Sequence, residues 1–183
     1  MYSNIITWVD HSTSVNIYDT ITKKQESFNV NNTIPNEADG IMVAGKLYVM
    51  GGWNPCVKTT YEIDVSKKQM VQKQDMIKAT CHHSLCTLLY QIFSLGGFDG
   101  QCLADCEVYD TISNTWKAIP NLATPRCSCA AVVFGRQWIY AIAGYNSSGD
   151  INSVERLPLP GNGNWSNVNI SSMFSARRDL HGI

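Results

Sequence analysis

The sequence predicts an all-β protein built from repeated four-stranded units. An apolar segment that ends in a doublet of small residues and an aromatic residue occurs three times, at residues 47–53, 92–98 and 139–145, with spacings of 45 and 47 residues. Between these copies, Val, Ile, Tyr and Thr cluster in short runs separated by Gly, Asn, Pro, Asp and Ser, which is typical of strands and turns. No stretch of a dozen residues has the apolar spacing of an amphipathic helix, so little helix is expected. A fixed period of this length indicates a repeat architecture.

Two further marks follow each doublet. A short acidic and apolar motif lies at residues 61–64, 107–110 and 154–157, and a related copy lies at 16–19. An indole then follows as Trp116 and Trp165, where the two earlier copies have Met70 and Gln25. Each period therefore holds four strands. In the third copy they are predicted at residues 127–134, 138–142, 152–157 and 165–168.

The block from residue 94 to 116 resembles the kelch repeat of β-propellers, because Gly96, Gly97, Tyr109 and Trp116 stand there in family order. The resemblance implies that each period is one propeller blade. Glycine lets the chain turn sharply and lets neighbouring sheets approach closely, while Tyr and Trp fill the space between blades. The residues expected to mark the repeat are Gly51, Gly52, Gly96, Gly97, Gly144, Tyr109, Trp116 and Trp165. In the third copy Ala143 replaces the first glycine.

The resemblance covers nearly the whole chain and divides it into blades. The expected units are a partial blade at 1–30, blades at 34–76, 79–121 and 125–170, and a lone first strand at 174–183. The partial blade has candidate strands at residues 5–9, 15–18 and 25–30. The two chain ends could complete one blade and close a four-bladed ring. Kelch propellers usually have five to seven blades, so part of a larger propeller is the favoured interpretation.

Composition excludes several classes of protein. The 183 residues carry 14 Lys and Arg against 15 Asp and Glu, a net charge of −1, so no broad attraction to nucleic acid or to acidic membranes is expected. No apolar run approaches the roughly 20 residues that span a bilayer, and the first ten residues lack the pattern of a signal peptide. We therefore expect a cytoplasmic protein, with no membrane partner, in which the seven cysteines are free thiols.

Candidates for chemistry are few. Alternation along strands places Cys81 and His83 on one face, with Cys127 and Cys129 at matching positions one blade later, so a zinc cluster is an alternative to simple packing of small thiols. Some kelch propellers are enzymes, namely copper-dependent galactose oxidases and sialic acid epimerases. A copper site would draw on the imidazoles, which are His11, His82, His83 and His181. No paired carboxylates or phosphate-binding loop accompany them. We expect no enzyme, no metal and no cofactor.

A binding surface has better candidates. Trp53, Phe98 and Tyr145 each follow a doublet, and in kelch substrate adaptors this loop lies on the face that meets the partner. The loop that enters the next blade contributes arginines to that face, and Arg126 and Arg177 match its position. The candidate partner-binding residues are Trp53, Phe98, Asp99, Arg126, Tyr145 and Arg177. Such a rim suits a protein or peptide ligand, in particular an acidic or phosphorylated one.

The family resemblance implies a substrate-recognition propeller of a BTB or F-box ubiquitin-ligase adaptor, or an actin-binding protein. The alternative to a binding rim is that the aromatic residues cap blade edges and the arginines pair with local acids.

Overall fold

The computed structural model describes residues 4–168, which form four antiparallel sheets. The N-terminal sheet contains β1 (Asn4–Trp8), β2 (Ser14–Asp19) and β3 (Gln25–Asn29). Blade 1 contains β4 (Asp39–Val43), β5 (Lys46–Met50), β6 (Thr60–Asp64) and β7 (Gln69–Gln72). Blade 2 contains β8 (Ser84–Leu88), β9 (Gln91–Leu95), β10 (Cys106–Asp110) and β11 (Thr115–Ile119). Blade 3 contains β12 (Ala130–Phe134), β13 (Trp138–Asn146), β14 (Gly149–Pro158) and β15 (Ser166–Asn167).

Within each sheet the strands pair in chain order, so every blade is a four-stranded meander. The first strands of successive blades lie side by side, β4 next to β8 and β8 next to β12. The all-β prediction is confirmed, and residues 4–168 contain no helix. Accordingly, this part of the chain has no helix with the length and apolarity of a membrane span. The predicted limits of each unit stay a prediction, and the lone strand expected at 174–183 lies outside the described residues.

Several strand limits differ from those predicted, and the differences at β12 and β13 affect the residues that follow the doublet. β12 begins at Ala130 rather than at Cys127, because Cys127 pairs with Tyr145 and Ser128 takes a φ of 50° that breaks the strand. β13 continues past Ile142 to Asn146, and its register against β14 shifts between Ile142 and Gly144. Tyr145 therefore lies in a strand of blade 3, where the sequence analysis expected a loop.

The hydrophobic core lies in layers between the sheets. The N-terminal sheet meets blade 1 through Val15, Phe28, Leu47, Ile63 and Met70. Blade 1 meets blade 2 through Tyr48, Met50, Ile92, Tyr109 and Trp116. Blade 2 meets blade 3 through Phe93, Leu95, Ile139, Leu157 and Trp165. Both faces of an inner blade are therefore buried, which explains why its strands are apolar on both sides.

The indoles of the repeat connect neighbouring blades. The Nε1–H of Trp116 donates a hydrogen bond to the Gln74 carbonyl oxygen at 3.0 Å, and that of Trp165 donates to the Pro120 carbonyl oxygen at 2.7 Å. The two acceptors are 46 residues apart, so the same bond recurs from blade 2 to blade 1 and from blade 3 to blade 2. Met70 packs at the equivalent position of blade 1 but has no N–H to donate.

The first residue of each doublet has a left-handed backbone. The φ angles of Gly51, Gly96 and Ala143 are 65°, 61° and 57°. A Cβ atom on Gly51 would lie 2.6 Å from the carbonyl oxygen of Thr80, and one on Gly96 would lie 2.2 Å from that of Arg126. Both oxygens belong to the connection that enters the next blade. The doublets are therefore sites of close approach between blades.

We expect Gly97→Val to be more destabilising than Gly100→Val. Both glycines have nearly the same positive φ, 114° and 116°, so both substitutions strain the backbone alike. A Cβ on Gly97 would lie 2.1 Å from Thr80 Oγ1 and 2.9 Å from the Cys81 carbonyl oxygen, whereas a Cβ on Gly100 meets nothing within 4 Å. Overpacking should make the loss of unfolding free energy about 1–3 kcal/mol larger for Gly97→Val in urea denaturation. Equal losses of unfolding free energy for the two variants would show that the close approach of Gly97 to Thr80 and Cys81 does not add to the cost of the substitution.

Candidate functional site

Three equivalent backbone junctions lie on one face, here called the upper face. In each, the residue after a doublet pairs with the connection that enters the first strand of its own blade: Trp53 with Asn36, Phe98 with Cys81, and Tyr145 with Cys127. The pairing in blade 2 consists of two N–H···O bonds between Phe98 and Cys81, at 2.8 and 3.0 Å. The repeat therefore fixes three aromatic residues at one backbone position in successive blades.

Trp53 and Phe98 form a ring pair on the upper face. Their ring centroids are 5.8 Å apart with an angle of 56° between the planes. Trp53 is 38% exposed, and Phe98 is half-buried. Tyr145 is also half-buried, in the extended part of β13. The structure thus brings two of the three predicted aromatic residues into contact across blades 1 and 2.

A second row of residues follows the junctions towards the first strands. Glu37, His82 and Ser128 each come one residue after the paired position, and their φ angles are 50°, 49° and 50°. Glu37 Oε2 lies 3.1 Å from His82 Nε2, and the Ser128 N–H donates to the His82 carbonyl oxygen at 2.9 Å. The sequence analysis missed this row, although each member is one residue past an aligned position of the repeat.

Asp99 lies beside the aromatic pair and binds a cation of the same blade. Its Oδ2 is 2.8 Å from Lys78 Nζ, and the two side chains are 23% and 42% exposed. This pair raises the pKa of Lys78, mainly through the hydrogen bond to Asp99. Asp99 therefore has a local partner on the upper face, and Lys78 stands near the position where the sequence analysis expected arginine.

Arg126 is buried, contrary to its expected place on an exposed rim. Its side chain is 0% exposed and lies 2.5 Å from the equally buried Glu155, between Nη2 and Oε1. Nη1 donates to the carbonyl oxygens of Ala143 and Ser153 at 2.9 and 3.1 Å. The guanidinium turns inwards because a buried carboxylate and the carbonyls of blade 3 satisfy it there. The alternative, pairing with a local acid, is correct for Arg126, whereas Arg177 lies outside the described residues.

A buried glutamate recurs in the third strand of each blade, as Glu62, Glu107 and Glu155. Glu107 accepts hydrogen bonds from the backbone N–H groups of residues 77 and 78, at 2.9 and 2.8 Å. Glu155 accepts from those of residues 123 and 124, at 2.7 and 3.0 Å. These carboxylates hold the connections between blades. The sequence analysis included each glutamate in the repeated acidic and apolar motif but gave it no role, although a repeated acid inside a strand is a usable signal.

Glu62 differs because side chains surround it. Lys46, Tyr48 and Lys73 all bind its carboxylate. Burial acts to raise the pKa of Glu62, but these hydrogen bonds outweigh it and hold the pKa below the usual value. In Glu107, burial dominates over two backbone bonds and raises the pKa. All three carboxylates therefore have structural partners, and nothing pairs them with each other for acid–base catalysis.

The zinc alternative does not fit the side chains present. Within residues 4–168 no three His, Cys, Asp or Glu side chains lie close enough to hold one metal ion. His83 is buried, and burial lowers its pKa to about 4, so its imidazole is neutral near pH 7. Burial also raises the pKa of the Cys129 thiol. These groups behave as packed, uncharged side chains.

The copper alternative fits no better in this part of the chain. His82 is paired with Glu37 and exposed, whereas its neighbour His83 is buried. His181, the fourth imidazole of the sequence, lies outside the described residues. We derive no catalytic step from these histidines.

Four-stranded meanders that pack face to face, with equivalent junctions on one face, define a β-propeller repeat protein, of which residues 4–168 form a part. The family model described as the Kelch motif matches residues 79–123, which include blade 2. Residues 79–123 of this chain therefore form a kelch repeat.

Three known proteins have sequences similar to parts of this chain. Beta-scruin of Limulus polyphemus is 29% identical over 119 residues, which cover 59% of this chain and 13% of that protein. Kelch repeat and BTB domain-containing protein 2 of cowpox virus (strain GRI-90 / Grishak) is 28% identical over 137 residues, 71% of this chain and 24% of the relative. Kelch-like protein 35 of Mus musculus is 36% identical over 80 residues, which cover 43% of this chain and 14% of that protein. The chain therefore spans at most about a quarter of the length of these relatives.

Proposed function

We propose that this chain is a non-catalytic protein-interaction module whose upper face binds a segment of a partner protein. The observation that carries the proposal is the partly exposed ring pair of Trp53 and Phe98, which spans two blades. Large aromatic residues contribute much of the binding energy at protein interfaces, because they bury a large area and lose little conformational freedom. Neither ring belongs to the core clusters between the blades, which are formed by other residues.

The charges of this face favour an apolar or aromatic anchor over a strongly acidic ligand. Glu37 lies against His82 and Asp99 binds Lys78, so each of these two acids has a basic partner. Arg126 is buried and cannot form the charge-assisted bonds that an acidic or phosphorylated peptide requires. We therefore propose a partner segment that places an apolar side chain on the ring pair and polar groups beside the Glu37–His82 and Lys78–Asp99 contacts.

Selection from a displayed peptide library on the immobilised full chain tests the proposal. The selected peptides should bind Trp53→Ala and Phe98→Ala at least about tenfold more weakly than the parent, as expected when an aromatic anchor is truncated. Phe134→Ala is the matched control, because Phe134 is 68% exposed and ends β12 at the opposite end of blade 3. Its affinity should equal that of the parent.

Two results would contradict the proposal. One is a set of peptides whose affinity is the same for the parent and for both upper-face variants. The other is a change in unfolding free energy for Phe98→Ala as large as that for a core residue, because the ring would then belong to blade packing.

The wider role rests on the relatives. The name of the cowpox virus relative mentions a BTB domain, and the Mus musculus relative is named a kelch-like protein. We propose that the propeller presents its partner to a ubiquitin ligase as part of a longer adaptor, in the cytoplasm, where its seven unpaired cysteines stay reduced. The full-length transcript tests this role. A BTB or F-box segment upstream supports it, and a reading frame with neither contradicts it.

A further inference from the structure

Four of the seven cysteines lie in two close pairs on the upper face. The sulfur atoms of Cys102 and Cys127 are 2.8 Å apart, and those of Cys56 and Cys81 are 3.7 Å apart. A disulfide bond has a sulfur–sulfur distance of about 2.05 Å, so small side-chain movements would bring either pair to bonding distance. We call Cys56 and Cys81 the first thiol pair, and Cys102 and Cys127 the second thiol pair.

The two thiol pairs occupy the same place in successive repeats. Cys56 and Cys102 are 46 residues apart, and so are Cys81 and Cys127. In each pair the first cysteine lies in the loop after the second strand of a blade, and the other lies in the connection that enters the next blade. The recurrence shows that the spacing follows from the repeat and not from one chance contact.

Backbone hydrogen bonds hold both pairs in place. Next to the first pair, the Thr80 N–H donates to the Val57 carbonyl oxygen at 3.1 Å. Next to the second pair, the Arg126 N–H donates to the Leu103 carbonyl oxygen at 2.9 Å. Each bond joins residues that directly adjoin the two cysteines, so the thiols face each other across a fixed backbone contact.

Exposure differs within each pair in the same way. Cys56 and Cys102 are half-buried, whereas Cys81 is 0% and Cys127 is 6% exposed. Burial raises the pKa of the Cys81 thiol to about 12 and also raises that of Cys127. A small oxidant can therefore reach one thiol of each pair, while burial keeps the other neutral and shielded from oxidants in solution.

We propose that each thiol pair is an oxidation site that closes to an intramolecular disulfide when the protein meets hydrogen peroxide. The Cys102 thiolate attacks one oxygen of the peroxide, and the O–O bond breaks. This oxygen stays on Cys102 as a sulfenic acid, and the other leaves as hydroxide, which takes up a proton to give water. The Cys127 sulfur then attacks the Cys102 sulfur, the S–O bond breaks, and the second oxygen leaves as water with the proton of Cys127. Two thiols and one peroxide give one disulfide and two water molecules. Cys56 and Cys81 react in the same way.

Mass spectrometry of the full chain tests the proposal without any knowledge of a binding partner. The reduced protein is treated with hydrogen peroxide, quenched in acid and measured intact, then digested without reduction. We expect a loss of four hydrogen masses, with cross-linked peptides that join Cys102 to Cys127 and Cys56 to Cys81. The second pair should close first because its sulfur atoms are closer. A reductant should restore the original mass.

Two variants serve as controls for each other. Cys102→Ser should lose only two hydrogen masses and keep the Cys56–Cys81 cross-link, whereas Cys56→Ser should keep only the Cys102–Cys127 cross-link. Cross-links that join other cysteines, disulfides between chains, or an oxidised wild-type protein without any disulfide would overturn the proposal. The wild-type peptide map decides the question even if a variant fails to fold.

Discussion

Arg126→Met is expected to lower the free energy of unfolding by about 3–5 kcal/mol, because it leaves a buried carboxylate without its cation. Glu155 is 0% exposed and keeps only the two backbone N–H donors of the connection between blades 2 and 3 once the guanidinium is removed. The substitution also leaves the Ala143 and Ser153 carbonyl oxygens without that donor. Urea denaturation of the full chain measures the loss.

Arg136→Met is the matched control for this prediction. Arg136 is exposed in the turn between β12 and β13, so removing its charge should change the unfolding free energy by no more than about 0.5 kcal/mol. Similar losses for the two variants would mean that Arg126 is not buried as described and would return it to the list of candidates for partner binding.

Trp116→Ala should also cost about 3–5 kcal/mol of unfolding free energy, since it empties a large site between blades 1 and 2. The indole is 7% exposed and packs on Tyr109 with ring centroids 5.0 Å apart. Its Nε1–H donates to the Gln74 carbonyl oxygen and to Thr60 Oγ1, both in blade 1 or its exit loop. Both thermal and urea unfolding should show that Trp116→Ala is less stable than the parent chain.

Two further variants separate the contributions of this side chain. Trp116→Phe keeps most of the apolar volume and removes the donor, so it should cost less than Trp116→Ala. Trp53→Ala removes an indole that is 38% exposed and pairs with one ring, for which about 0.5–1.5 kcal/mol is expected. If Trp53→Ala destabilises the chain as much as Trp116→Ala, the upper-face indole is a packing residue and the proposed binding surface loses its support.

Periodicity in the sequence was sufficient to predict the blades and their internal marks. Gly51 and Gly96 recur because a Cβ at either position would collide with the connection that enters the next blade. The close approach therefore favours glycine at both positions. Trp116 and Trp165 recur because one backbone carbonyl in each connection needs the same donor. Such marks are readable from one sequence, since a repeated local environment selects the same side chain each time.

The sequence by itself determined the all-β class, the period and the positions of the aromatic residues on one face. Only the tertiary structure decided which polar side chains face solvent. Local sequence does not distinguish the buried Arg126 from the exposed Arg136. Arg126 is buried because it binds Glu155, which lies 29 residues further along the chain in β14. The thiol pairs likewise depend on contacts between a loop and a connection 25 residues apart. Side-chain burial and pairing of this kind follow from the packing of distant segments, which local composition and spacing do not encode.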